Sequence, residues 1–187
     1  SREQENAIIN ILRFHEDKSA LIFCGTRTAV NHMSSRLLNR GFAVVALSGE
    51  LSQNERSKAI QSMRDLKAKV CVATDVAARG IDLPSLDLVI HADIPRTSDT
   101  LLHRSGRTGR AGRKGNCIVL VSNNLRKKAE RLFSGANIKV KWGTPPSRDD
   151  IIKKDDERLI SNPILTQDIR DEDKATVEKL TSSFSLD

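Results

Sequence analysis

The sequence predicts a doubly wound α/β domain, with a mostly parallel sheet and helices on both faces, followed by a mostly helical or irregular extension. Three observations predict it. Short apolar runs rich in Val, Ile and Leu recur through the first two thirds of the chain, amphipathic stretches separate them, and the character changes after about Trp142. A run that is apolar throughout, rather than alternately, suits a strand covered on both faces, as in a parallel sheet. Alternation of such strands with helices selects a doubly wound fold over a sandwich or a bundle.

Five runs read as buried strands: Ala20–Cys24, Ala43–Leu47, Val70–Ala73, Leu86–His91 and Cys117–Val121. Between them, Thr28–Arg40 and Ser52–Leu66 have helical spacing. Gly41 is placed to cap the first at its C-terminus, and Ser52 with Glu55 forms a capping box opening the second. Glu3–Phe14 reads as a leading helix and Asn124–Phe133 as a late one. Gly143–Ser147 punctuates the chain, and two charged stretches, Asp149–Ser161 and Asp171–Ser182, follow as helices on either side of Asn162-Pro163. They hold too few apolar residues for a core of their own. The expected division is therefore residues 1–145 as the domain and 146–187 as an acidic extension or linker.

Charge follows the same division. Residues 1–147 carry 24 Lys+Arg against 13 Asp+Glu, whereas residues 148–187 carry 7 against 11, within a net charge of +7. Only the first part is suited to meet a polyanion. No run approaches the roughly 18 apolar residues that cross a bilayer, and the N-terminus lacks the layout of a signal peptide. Opening on Ser1 rather than Met suggests a piece of something longer. Cys24, Cys71 and Cys117 are odd in number and form no C-x-x-C, which argues against a disulfide framework or a zinc site. Buried free thiols in a reducing cytoplasm are the expectation.

In doubly wound sheets, ligands bind at the C-terminal ends of the strands. Two segments near those ends carry chemistry. Ala73-Thr74-Asp75-Val76-Ala77-Ala78-Arg79-Gly80-Ile81-Asp82 begins where a strand ends. Thr74 offers a hydroxyl and an amide to phosphate, the small residues leave room, and Asp82 is placed to accept from hydroxyls. His103-Arg104-Ser105-Gly106-Arg107-Thr108-Gly109-Arg110 spaces three arginines three apart and places a glycine between each successive pair. Two glycines destabilise a helix interior by roughly 1 kcal/mol each. The pattern suits a backbone that approaches its ligand closely while guanidinium forks converge on phosphate.

Together these segments resemble motifs V and VI of the DEAD-box RNA helicases of superfamily 2. Leu21-Ile22-Phe23-Cys24-Gly25-Thr26-Arg27 is similar to motif IV of that family, and Gln53-Asn54-Glu55-Arg56 to its Q-x-x-R element. The resemblance covers about residues 3–142 and implies the C-terminal RecA-like domain. The tail, with Pro145-Pro146 and Ile151–Leu165, is more loosely similar to bacterial cold-shock-type members. One departure stands out: Ser48-Gly49-Glu50 replaces the usual His-Gly-Asp.

The resemblance implies roles by position. Arg107 and Arg110 correspond to arginine fingers at the γ-phosphate, and Asp82 and Gly80 to ATP-binding positions. Thr74, Gly80, Arg56, Gly25, Thr26 and Gly49 correspond to contacts on the RNA backbone. His103, Arg104, Asp75 and Arg79 correspond to coupling between the two helicase halves. The chain contains neither G-x-x-x-x-G-K-[ST] nor an Asp-Glu-Ala-Asp run. ATP with Mg2+ would thus be bound mainly by an N-terminal RecA-like domain of the same protein, and this chain alone would not hydrolyse it. Two alternatives stay open: a DNA-directed superfamily 2 motor, or an ATPase-dead RNA-binding or regulatory module.

Overall fold

The computed structural model describes residues 2–79, 83, 86–109, 115–163 and 171–183. Five short strands, β1 (Ala20–Phe23), β2 (Val44–Leu47), β3 (Val70–Ala73), β4 (Leu88–His91) and β5 (Asn116–Val119), form one sheet in the order β2-β3-β1-β4-β5. Every pairing in it is parallel. The helices are α1 (Arg2–Phe14), α2 (Arg27–Leu38), α3 (Gln53–Arg64), α4 (Asp75–Ala78), α5 (Ser98–Ser105), α6 (Arg126–Gly135), α7 (Arg148–Ile160) and α8 (Asp171–Ser183). A 3-10 turn at Asn123–Leu125 leads into α6.

The apolar runs became strands because both faces of the sheet are covered. Ala20 and Ile22 face one core layer with Ile8, Leu12, Val30 and Leu37 from α1 and α2. Leu21 and Phe23 face the opposite layer with Met63 of α3 and with Ala77 and Ala78 of α4. A smaller cluster joins Leu101 of α5 to Ala129 and Phe133 of α6. Glu5 of α1 holds Arg36 and His32 of α2 at 2.9 Å each. These bonds, the one to His32 foremost, keep its carboxyl below the usual range.

Three expectations need correction. The fourth strand starts at Leu88 rather than Leu86, which instead forms an isolated bridge to Thr108. The last strand is Asn116–Val119, and as the sheet edge it is exposed at its start and half-buried beyond. Cys117 is therefore exposed rather than buried, unlike Cys24 and Cys71; all three thiols are free.

The chain separates into two units, Ser1–Ser147 and Arg148–Asp187. In the second unit α7 has no buried residue, as its sparse apolar content suggested. Among the described residues, no helix is long and apolar enough to cross a membrane.

Candidate nucleic-acid and nucleotide interface

The strand register sets the geometry of the site. Leu47, Ala73, Phe23 and His91 are paired in one row across β2, β3, β1 and β4. With strands about 4.8 Å apart, the loops that follow them line an edge roughly 15 Å long. Gly49, Thr74, Gly25 and Thr26 stand in successive loops along it.

Two threonines there cap helices. Thr26 Oγ1 accepts from the Ala29 amide at 3.1 Å, and Thr74 Oγ1 accepts from the Ala77 amide at 3.3 Å. A hydroxyl that accepts in this way keeps its own proton to donate to an anion. Gly49 is exposed, and a Cβ there would meet nothing within 4 Å, so the space above it is open to a ligand backbone. Gly25 differs: a Cβ there would lie 3.3 Å from Asp93 Oδ2, so its crowding comes from the protein itself. Arg56 lies half-buried in the first turns of α3, behind the capping box of Ser52 and Glu55. Glu50, in the Ser48-Gly49-Glu50 departure, forms an exposed ion pair with Arg27 at the start of α2. The retained negative charge thus ties the β2 loop to the β1 loop.

A cavity of about 280 Å³ opens beside this edge, lined by residues that include Phe23, Asp75, Arg79, His103, Arg104 and Arg107. The four positions expected to couple the helicase halves therefore meet in one place, together with Arg107. They are not equivalent. Arg104 is only 5% exposed. Its Nε donates to Asp75 Oδ1 at 2.6 Å and a terminal nitrogen to Asp75 Oδ2 at 2.7 Å, while the other terminal nitrogen donates to the Asp93 carbonyl at 3.2 Å. Its guanidinium also lies 5.0 Å from the centroid of the Phe23 ring. Arg104 and Asp75 therefore engage each other inside the domain, which ties α5 to the start of α4. His103 and Arg79 are exposed and Arg107 is half-buried.

The turn after α5 explains its glycines. Gly106 caps the helix, and its amide donates to Leu102 O at 2.8 Å. Gly109 has φ +71°, in the left-handed region. Thr108 hydrogen-bonds the Leu86 carbonyl, and a Cβ at Gly115 would collide with Thr108 and the Gly109 amide. The helix ends at Ser105, so both glycines lie in the turn beyond it rather than in a helix interior. Gly80, Asp82 and Arg110, expected at the ATP and RNA sites, lie outside the described residues.

Beneath α5, His91 is fully buried. Its Nε2 lies 3.2 Å from Cys117 Sγ, which is also 3.2 Å from Ser105 Oγ. Burial, reinforced by the charge of Arg104, pushes its pKa down to about 3. Desolvation likewise raises the Cys24 and Cys71 thiols to about 12. Among the described residues no three metal-ligating side chains converge. The donors around the cavity suit phosphate oxygens instead.

An all-parallel sheet with hydroxyls, glycines and arginines near its C-terminal edge is a doubly wound α/β domain with polar donors where such sheets receive ligands. Residues 3–112 match the family described as the helicase conserved C-terminal domain. The chain belongs to that family, as a DEAD-box C-terminal RecA-like domain. It is 32% identical over 169 residues to the ATP-dependent RNA helicase DeaD of Buchnera aphidicola, covering 90% of this chain and 28% of that protein. It is 43% identical over 104 residues to the DEAD-box ATP-dependent RNA helicase 53 of Oryza sativa, covering 56% of this chain and 17% of the relative. The chain thus spans less than a third of the length of either. Among solved structures, Escherichia coli SrmB bound to RraA superposes with TM-score 0.67 at 34% identity, covering 79% of this chain and 89% of that one. Saccharomyces cerevisiae Dbp5 bound to RNA and ADP BeF3 superposes with TM-score 0.72 at 28% identity, covering 84% of this chain and 42% of that one.

Sequence reasoning missed Asp93, the stacking of Arg104 on Phe23, and the pairing of Glu50 with Arg27. Asp93 could have been found by position, since it follows a strand end as Gly25 and Thr74 do.

Proposed function

We propose that this chain is the C-terminal half of an ATP-dependent RNA helicase, which closes on an N-terminal RecA-like domain of the same protein to complete an ATPase site. The observation that carries this reading is the cavity at the strand ends, where Arg79, His103 and Arg107 stand beside the Arg104–Asp75 pair. When bound between the domains, ATP with Mg2+ supplies the phosphoryl group, held mainly by the N-terminal domain. Arg107, with Arg110, stabilises charge developing on the γ-phosphate. Such arginines are typically worth roughly 10³–10⁵ in rate. Asp82 receives the ribose hydroxyls.

Along the neighbouring edge, Thr26 and Thr74 donate their hydroxyl protons to RNA phosphates, Arg56 adds a cation, and Gly49 gives the backbone room to approach. Contacts to the backbone make recognition independent of sequence, with RNA set apart from DNA by its 2′-hydroxyls and strand shape. ATP and RNA together favour the closed arrangement because both bind it better than the open one. Closure bends the RNA and separates a short duplex locally. The free thiols suit the reducing cytoplasm in which we place the protein.

The test is ATP hydrolysis by the two-domain protein with single-stranded RNA or with DNA of the same sequence. Stimulation by RNA alone is expected. Equal stimulation by DNA would favour a DNA-directed motor, and no hydrolysis with either would favour a binding module.

A further inference from the structure

The C-terminal ends of β1 and β4, neighbours in the sheet, enclose a crevice. The chain leaves β1 toward β2 on one side of the sheet and leaves β4 toward β5 on the other. Their C-terminal ends therefore flank a topological switch point, the crevice where open α/β sheets receive ligands. Asp93 stands there, two residues beyond β4.

Across the crevice, Asp93 Oδ2 accepts the Gly25 amide at 2.7 Å. The Asp93 backbone carbonyl accepts from Arg104 at 3.2 Å, and the other donors of that guanidinium grip Asp75. One residue thus joins the ends of β1 and β4 to α5 and, through Arg104, to the start of α4. Asp93 is exposed, so burial does not explain the bond. The 3.3 Å between Asp93 Oδ2 and a Cβ at Gly25 shows how closely the two are fitted.

We propose that Asp93 is a positioning residue for the RNA-facing edge. By holding the Gly25 amide, it fixes the turn that presents Thr26 relative to the Arg104–Asp75 pair that fixes Thr74. Two consequences follow for RNA. The Gly25 amide is committed to the protein, so a phosphate at this turn is met by the Thr26 hydroxyl and by the amides that open α2. The exposed carboxylate also repels phosphate from the β4 side of the crevice, which directs the RNA backbone toward β3 and β2. This role rests on the RNA reading above.

The test measures binding of this chain to a fluorescein-labelled single-stranded ten-nucleotide RNA, alongside hydrogen exchange of the Gly25 amide. Asp93→Ala removes the acceptor; Asp93→Asn keeps an acceptor oxygen and removes the charge. In Asp93→Ala, Gly25 exchange should accelerate at least about tenfold and RNA affinity should fall about five- to tenfold, roughly the loss of one charge-assisted hydrogen bond. The unfolding midpoint, read in parallel, confirms that the fold is kept. In Asp93→Asn, affinity should return to the wild-type value or exceed it. Wild-type affinity in Asp93→Ala, or an equal loss in both variants, overturns the positioning role. Unchanged Gly25 exchange in Asp93→Ala also overturns it. A wild-type chain that binds no RNA overturns the RNA reading itself, which separates the two failures.

Discussion

Helix α5 and the turn that follows it, Gly106–Gly109, carry arginines three residues apart that are used in opposite ways. Arg104, in the last turn of the helix, is buried and clasps Asp75 with two donors. Arg107, in the turn, lines the cavity and stays half-buried. The same residue type in the same motif is used once to fix the domain and once to line the cavity. Burial separates the two, since a buried guanidinium must be paired inside the protein whereas a half-buried one keeps part of its solvent.

The largest expected effect tests the buried side of this contrast. Arg104→Ala should lower unfolding stability by about 3 kcal/mol in urea titration, because it removes a buried cation and leaves Asp75 without its partner. Arg107→Ala should cost clearly less than Arg104→Ala, because Arg107 is half-buried rather than buried. Equal losses would erase the distinction.

Acidification sharpens it. His91 lies beneath α5 with its folded pKa depressed to about 3 from 6.5. Above pH 6.5 it is neutral whether folded or unfolded. As the pH falls from 6.5 toward 3, only the unfolded chain takes up the proton, so stability is lost. The loss is roughly 1.4 kcal/mol for each pH unit, or about 2 kcal/mol at pH 5. His91→Leu should flatten that slope, and Arg104→Ala should move its lower limit upward by removing a nearby charge. A slope unchanged by either variant would refute the assignment.

On the turn side, Gly109→Ala should cost about 1 kcal/mol, since φ +71° is unfavourable for a residue with a Cβ. The smallest effect belongs to the second unit. Ile152→Ala in α7, a helix with no buried residue, should change unfolding stability by less than about 0.5 kcal/mol. A larger loss in calorimetry would show that this side chain is packed.

Much of the fold was legible because its signals are local. The five strands announced themselves as apolar runs, and Ser52 with Glu55 formed the expected capping box. Helices α4 and α5 were not anticipated: α4 has only four residues, and the glycines after Ser105 masked the regular turns before them. The site was legible as a set of motifs but not as a division of labour. Spacing cannot tell whether a guanidinium meets a ligand or a carboxylate 29 positions earlier in the chain, because that depends on how α4 and α5 approach over the sheet. The exposure of Cys117 was hidden for a similar reason, since strand order, rather than strand sequence, makes β5 the edge.

The central claim is that this chain contributes the catalytic arginines to a site it cannot complete. Its most direct test is RNA-stimulated ATP hydrolysis, measured for this chain alone, for the chain mixed with a separately made N-terminal domain, and for the mixture carrying Arg107→Ala. The account predicts silence from the chain alone, activity from the mixture, and a loss of about 10³-fold or more in the variant with RNA affinity retained. Hydrolysis by the chain alone, or an active Arg107→Ala mixture, would contradict it.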